Sequence, residues 1–197
     1  SSVDEVPVPV DALAEAVLGE SDPHVAGALR WALAHTGDAG LARLAEGLDA
    51  PQAPVRERAV QSIAELPGEA ATALLRVALA HSDVVVRGNA AVALGGRGGP
   101  DAVPTLIGMV AEGTRDTDAA DALGALAGDP ALADRIAAGV VDRLARGADP
   151  LARRRLAQAL ADIPGTPAAQ ALRELSRDED RAVALTATYV LTLRDTR

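Results

Sequence analysis

Three histidines, His24, His35 and His81, and two acidic clusters, Asp116/Asp118/Asp121 and Asp178/Glu179/Asp180, are the side chains with the plainest capacity for chemistry. Imidazoles three or four residues apart on a helix can share a metal ion, and paired carboxylates can divide acid and base work. None of the histidines has a second His at either spacing, so solvated loop positions are expected for all three. Both acidic clusters lie where helices are expected to begin, and the helix dipole favours negative charge there. The run Gly95-Gly96-Arg97-Gly98-Gly99 lacks the preceding strand and the spacing of a dinucleotide-binding loop, and reads instead as a turn that closes a helix. With no Cys in 197 residues, disulfides, thiolate catalysis and cysteine–zinc sites are excluded. No catalytic residue is assigned, and neither a metal nor a cofactor is expected.

Charge narrows the choice of partner. The 19 cationic residues are all Arg, and 28 Asp and Glu bring the net charge to −9. A polyanion needs a basic face, so no nucleic-acid partner is expected. No apolar run reaches 18 residues, so no membrane span is expected either. The opening Ser1-Ser2-Val3-Asp4 does not read as a signal peptide, and a cytoplasmic location is the expectation.

The elements that would position these residues are helices. Hydrophobic residues make up 49% of the chain and aromatics only 1%, with nearly a quarter Ala, a composition suited to closely approaching helices. One pattern recurs: a capping residue, an apolar residue three on, and Leu or Ile eight further on. It runs from Asp22 to Leu33, Gln52 to Ile63, Asp83 to Leu94, Asp149 to Leu160 and Asp180 to Leu191. The starts lie 30, 31, 66 and 31 residues apart, so a divergent copy must fill the long gap, between Thr114 and Ala127, with Leu123 and Leu126 both fitting its register. Each first helix is followed by a Gly- or Pro-containing break and a second apolar-periodic segment: Leu41/Leu44/Leu48, Ala71/Leu74/Leu75, Val103/Leu106/Val110, Leu132/Ile136/Val140 and Leu172/Leu175. A period of about 31 fits a helix–turn–helix unit. The expected fold is all-α, a right-handed α-α superhelix of about five helix pairs with terminal half-repeats, forming one domain over residues 1–197.

The run Asp83-Val84-Val85-Val86-Arg87, continuing through Ala90-Ala91-Val92-Ala93-Leu94-Gly95 to Asp101-Ala102-Val103-Pro104-Thr105-Leu106, resembles a short HEAT repeat of the bilin-lyase-like kind. Arg56, Arg87 and Arg153 stand at the Arg position of that repeat; Ala26 and Ala184 replace it in two copies. The resemblance implies that Asp and Arg at helix starts form a ladder between repeats, and that the second helices line a concave face.

On that face, alignment on Leu44, Leu74, Leu106, Ile136 and Leu172 places Arg43, Ala73, Thr105, Arg135 and Ala171 in one column and Glu46, Arg76, Gly108, Ala138 and Glu174 in another. The candidate binding residues are Arg43, Glu46, Arg76, Thr105, Met109, Arg135 and Glu174, a small-residue surface where Arg forks could hold an acidic peptide or an anionic ligand. Trp31 and Tyr189 are candidate aromatic anchors, or covers for the ends of the stack. The leading expectation is a non-enzymatic scaffold or accessory protein that binds another protein, an enzyme being one candidate. The alternative is a HEAT-like lyase, isomerase or small-ligand carrier with a concave pocket. A HEAT-like DNA glycosylase is disfavoured by the acidic charge and the shortage of aromatics to stack a base. Oligomeric state is left open by the sequence.

Overall fold

The computed structural model describes residues 9–196, and among these there is no β-strand. In chain order the helices are α1 (Val10–Gly19), α2 (Pro23–Ala34), α3 (Leu41–Leu48), α4 (Ala53–Glu65), α5 (Glu69–Ala78), α6 (Val84–Gly96), α7 (Val103–Glu112), α8 (Asp116–Leu126), α9 (Pro130–Ala145), α10 (Pro150–Ala159), α11 (Thr166–Leu175) and α12 (Arg181–Asp195). From α2 to α11 they run as five first-and-second pairs, with α1 a lone second helix and α12 a lone first helix. The fold is an all-α, HEAT-like helical repeat.

The helix starts follow from local chemistry. The carboxylate of Asp22 accepts from the His24 and Val25 amides, Asp129 from Ala131, Asp149 from Ala152, and Asp180 from Ala182 and Val183. Each satisfies donors that the first helical turn leaves unpaired. Pro follows Asp at the first helical position of α2, α9 and α10, where its missing N–H costs nothing. Gln52 makes no side-chain cap. The glycine run closes α6 as expected: the Gly99 amide donates to Leu94 O at 2.8 Å, with Gly98 at φ 76°.

The chain forms two compact units, residues 1–90 and 91–197, the boundary falling inside α6. In the first, α1, α3 and α5 are neighbours in a layer of second helices, while α4 packs on α2, α3 and α5. Its core holds Val17, Leu33, Leu44, Ala59, Ile63 and Leu75, each at most 1% exposed. In the second, the second helices α7, α9 and α11 adjoin one another, and the first helices α8, α10 and α12 do likewise. Leu106, Leu123, Ile136, Leu156, Leu160 and Leu172 fill its interior. These are the i, i+3, i+4 positions that an amphipathic helix buries.

One register differs from the sequence expectation, and one that the sequence left open is fixed. In α5 the fully buried leucine is Leu75, with Leu74 half-exposed, so the α5 face is turned by one residue. The divergent first helix is α8, which buries Ala119, Ala122, Leu123 and Leu126; counted from its cap at Arg115, Leu126 stands at the position of Leu94. It begins after Arg115 in a left-handed conformation instead of after a capping Asp.

Arginines tie successive repeats together. Within the first unit, Arg56 Nη2 lies 2.6 Å from Asp83 Oδ2 and its Nη1 donates to Ala50 O and Pro51 O. In the second, Arg153 Nε lies 2.8 Å from Asp178 Oδ2, and Nη2 donates to Asp178 Oδ1 at 3.0 Å. The ladder thus runs from the Arg of one repeat to an Asp near the start of the next, and Asp178 serves it instead of capping a helix. A second set of arginines closes helix ends: Arg58 Nε donates to Leu18 O at 2.7 Å, and Arg155 Nη1 to Ala111 O at 3.3 Å. Leu18 and Ala111 lie in the last turns of α1 and α7, where carbonyls have no partner within the helix.

Candidate functional site

Among the candidate residues, the first unit carries Arg43, Glu46 and Arg76, and its arginines are already engaged. Arg43 Nη1 donates to Glu46 Oε2 at 2.5 Å, and Nη2 lies 3.7 Å from Glu15 Oε1. The Glu46 hydrogen bond, with the carboxylates of Glu15 and Asp11 behind it, raises the Arg43 pKa further above its ordinary value. Arg76 Nη1 lies 2.6 Å from Glu69 Oε1. Around Arg43 the face therefore carries more carboxylates than guanidinium groups. The turned register of α5 puts Val77, 71% exposed, two residues beyond the aligned core leucine, where Arg76 had been expected.

In the second unit the candidates separate. Met109 is 5% exposed, three residues after Leu106 and on the same buried side of α7, so it belongs to the core and offers nothing to a partner. Ala171 is likewise buried, at 2% exposed, because α11 turns it toward its neighbours. Thr105 is half-buried on α7, and Glu174 is exposed on α11. Arg135 is the candidate that stands in a recess.

That recess is a cleft of about 350 Å³ between α7 and α9. Val103, Pro104, Ile107 and Gly108 line it from α7; Arg135, Ala138, Gly139, Asp142 and Arg143 line it from α9, with Arg146 just beyond the helix end. Positions 135, 139, 142 or 143, and 146 return every three or four residues to one side of a helix, which is why one face of α9 gathers three arginines. The floor depends on small residues. A Cβ at Gly139 would lie 2.7 Å from Ile107 Cδ1, so glycine leaves room there for the end of the Ile107 side chain. A Cβ at Gly108 would meet nothing within 4 Å, because it would point into the cleft.

Arg135 and Arg146 are exposed and Arg143 is half-buried. No guanidinium group of the three makes a hydrogen bond or ion pair with a described residue, in contrast to those of Arg43, Arg76, Arg115, Arg153 and Arg155. Arg143 and Arg146 sit at the C-terminal end of α9, where the helix dipole favours cations, so the helix tolerates them without carboxylate partners. Sequence reasoning placed Arg135 in this surface and missed Arg143 and Arg146. Their spacing from Arg135, eight and eleven residues, was the available signal. Asp142 is exposed and is the one carboxylate lining the cleft. The chemistry on offer is multi-donor recognition of an anion.

Elsewhere the expected functional groups serve structure. His35 Nδ1 lies 2.7 Å from Trp31 O, and its ring stacks at a tilt on the Trp31 indole. His81 Nδ1 accepts from the Asp83 amide at 2.9 Å. No group of three His, Asp or Glu among the described residues is arranged to hold a metal ion. Trp31 and Tyr189 are 67% and 64% exposed; the Trp31 indole meets the His35 ring, and Tyr189 lines a groove between α10 and α12. No helix of the described residues is long and apolar enough to cross a membrane.

Residues 41–127 match the family model of HEAT repeats. The fold is similar to a designed armadillo repeat protein in complex with the peptide (KR)4, at 16% identity and a TM-score of 0.52, covering 95% of this chain and 100% of that one. It is also similar to the complex of CpcE and CpcF of phycocyanin lyase from a Nostoc species, at 20% identity and a TM-score of 0.50, covering 95% of this chain and 77% of that one. At these identities the likeness is one of fold. No curated protein sequence matches this one.

Proposed function

We propose that this chain of HEAT repeats is a protein-interaction module, and that the α7–α9 cleft receives an acidic segment of its partner. The observation that carries the reading is the set of three unpaired arginines, Arg135, Arg143 and Arg146, around a small-residue floor in a chain of net charge −9. Repeat folds present extended surfaces of this kind to peptides and proteins. The designed armadillo protein was solved with the cationic peptide (KR)4, and CpcE with CpcF, so both relatives occur in complexes. Here the cleft is lined by three arginines and one carboxylate, so the ligand it suits is acidic, unlike (KR)4. The exposure of Asp142, the cleft's carboxylate, favours binding over acid–base chemistry, which needs a carboxyl group shielded from water.

The test uses the full chain and a labelled eight-residue Asp/Glu peptide, with its Asn/Gln counterpart as reference, followed by fluorescence anisotropy. The acidic peptide is expected to bind more tightly and to weaken as salt rises. Reversing Arg135, Arg143 and Arg146 to Glu removes three rim contacts of about 0.5–1 kcal/mol each, a loss of roughly ten- to hundredfold in affinity. Gly108→Gln, which fills the cleft without touching its charge, should also weaken binding. Arg154→Glu on α10 is the control; Arg58 is unsuitable because it closes α1. Equal binding of the two peptides, or a triple variant that binds like the parent, would remove the cleft from the reading.

A further inference from the structure

We infer that α12 is a self-association face, and that its partner is the same helix of a second copy, antiparallel across a two-fold axis at Tyr189. Seven residues of α12 and its C-terminal cap, Ala182, Leu185, Thr186, Tyr189, Thr192, Leu193 and Thr196, fall within an arc of about 120° at 3.6 residues per turn. None is charged, and all are exposed except Thr186, which is half-exposed. Leu185 is 59% exposed and Tyr189 64%. The repeat itself does not require such a face. At the positions of Leu185, Tyr189 and Leu193, α4 carries Glu57, Gln61 and Glu65, and α10 with the turn after it carries Arg154, Gln158 and Asp162.

The threonines make the face cheaper to dry than its composition suggests. The Thr186 hydroxyl donates to Ala182 O at 2.8 Å, Thr192 to Thr188 O at 3.1 Å and Thr196 to Leu193 O at 2.9 Å. Their hydrogen-bonding needs are met by their own helix, so a partner need not replace them.

The order of residues points to a second copy as the occupant. In an isologous pair each residue meets its symmetry mate's counterpart. With Tyr189 on the axis, Leu185 faces Leu193, Thr186 faces Thr192 and Ala182 faces Thr196 of the second copy, so leucine meets leucine, threonine meets threonine and no charge is met. Beside the ridge lies its recess, a groove of about 540 Å³ between α10 and α12, lined by Gln158, Ala161, Leu185, Tyr189, Val190 and Leu193. One molecule thus offers both the projecting leucines and the groove to receive them. Charge points the same way: a chain of net charge −9 meets its copy with least repulsion across an uncharged face. A single helix face about 22 Å long and about 10 Å wide covers a few hundred Å², well below the roughly 800 Å² per partner of a standard interface, so the pair is a weak, concentration-dependent dimer.

Sedimentation of the full chain is expected to show a monomer–dimer equilibrium in the micromolar range. Leu185→Glu with Leu193→Glu should weaken it at least tenfold, as should Thr192→Arg, which adds a charge and leaves both leucines, with the circular dichroism of each variant unchanged. Because the chain has no Cys, Tyr189→Cys places a single thiol on the axis. Mild oxidation should link it into dimers far faster than Val77→Cys, an exposed control. A parent that stays monomeric at several hundred micromolar, a dimer indifferent to the charged variants, or equal cross-linking of the two cysteines would each overturn the inference.

Discussion

Arg56→Met is expected to lower the stability of the chain by about 2–4 kcal/mol. The guanidinium is only 20% exposed and serves three acceptors at once: Asp83 Oδ2, at 2.9 Å from Nε and 2.6 Å from Nη2, and the carbonyls of Ala50 and Pro51. Removing it strands a carboxylate that is itself 15% exposed. Arg43→Met removes an ion pair that is more exposed on both sides and should change stability by less than about 0.5 kcal/mol. Urea denaturation of both variants provides the comparison, and equal losses would refute the distinction.

The same pair sets a pH dependence. The Arg56 hydrogen bond, and then the Val85 amide, hold the Asp83 carboxyl below its ordinary value of 3.8. A pKa depressed by folding contributes stability that is complete above the unfolded value and is lost as pH falls through the folded one. Asp83→Asn should therefore be clearly less stable than the parent at neutral pH, and the gap should narrow as pH drops below about 3.8. A gap that is constant down to that range would show that the carboxylate's charge is not what matters.

Two glycines are expected to respond with opposite signs. At Gly95 a Cβ would lie 2.9 Å from Ala122 Cβ and 3.3 Å from Leu106 Cδ1. Ala122 Cβ is fixed to the backbone of α8, so Gly95→Val must push α6 and α8 apart, costing about 3 kcal/mol. Gly108 sits mid-helix in α7 with nothing within 4 Å of its would-be Cβ. Gly108→Ala should add about 1 kcal/mol through helix propensity alone. For a chain of this size the two should melt roughly 8–16 °C apart, with the parent between them. A melting point for Gly108→Ala below the parent would mean that the cleft floor is not open.

What could be read from the sequence was what adjacent residues decide. Asp22, Asp149 and Asp180 announce helix starts because capping acts over two or three residues, and five pairs with two half-repeats followed from that punctuation. Where the local mark is missing, the reading fails for a physical reason. The start of α8 is carried by Arg115 in a left-handed conformation with no capping side chain, and Leu123 and Leu126 are both buried, so no local mark chooses the register of the copy. In α5, Leu74 and Leu75 are 100° apart around the helix, and only their packing decides which faces inward. Arg43 and Glu46 are three apart and could have been paired on paper. The approach of Glu15 from α1, and the opening between α7 and α9, arise only once distant segments pack.

The arginine ties from Arg58 to Leu18 O and from Arg155 to Ala111 O span 40 and 44 residues of sequence. A ribosome delivers those residues in order. When α1 and α2 emerge, the last carbonyls of α1 are still served by water, and they gain their protein donor only when α4 has followed. The same delay recurs between α7 and α10. Each of these two helix ends is thus finished by a later arrival, so the repeats that hold α1 and α7 are not complete on their own. A nascent chain of this kind matures a step behind its own synthesis, and a fragment cut before Arg58 or Arg155 would fray at the end that the missing arginine was to close.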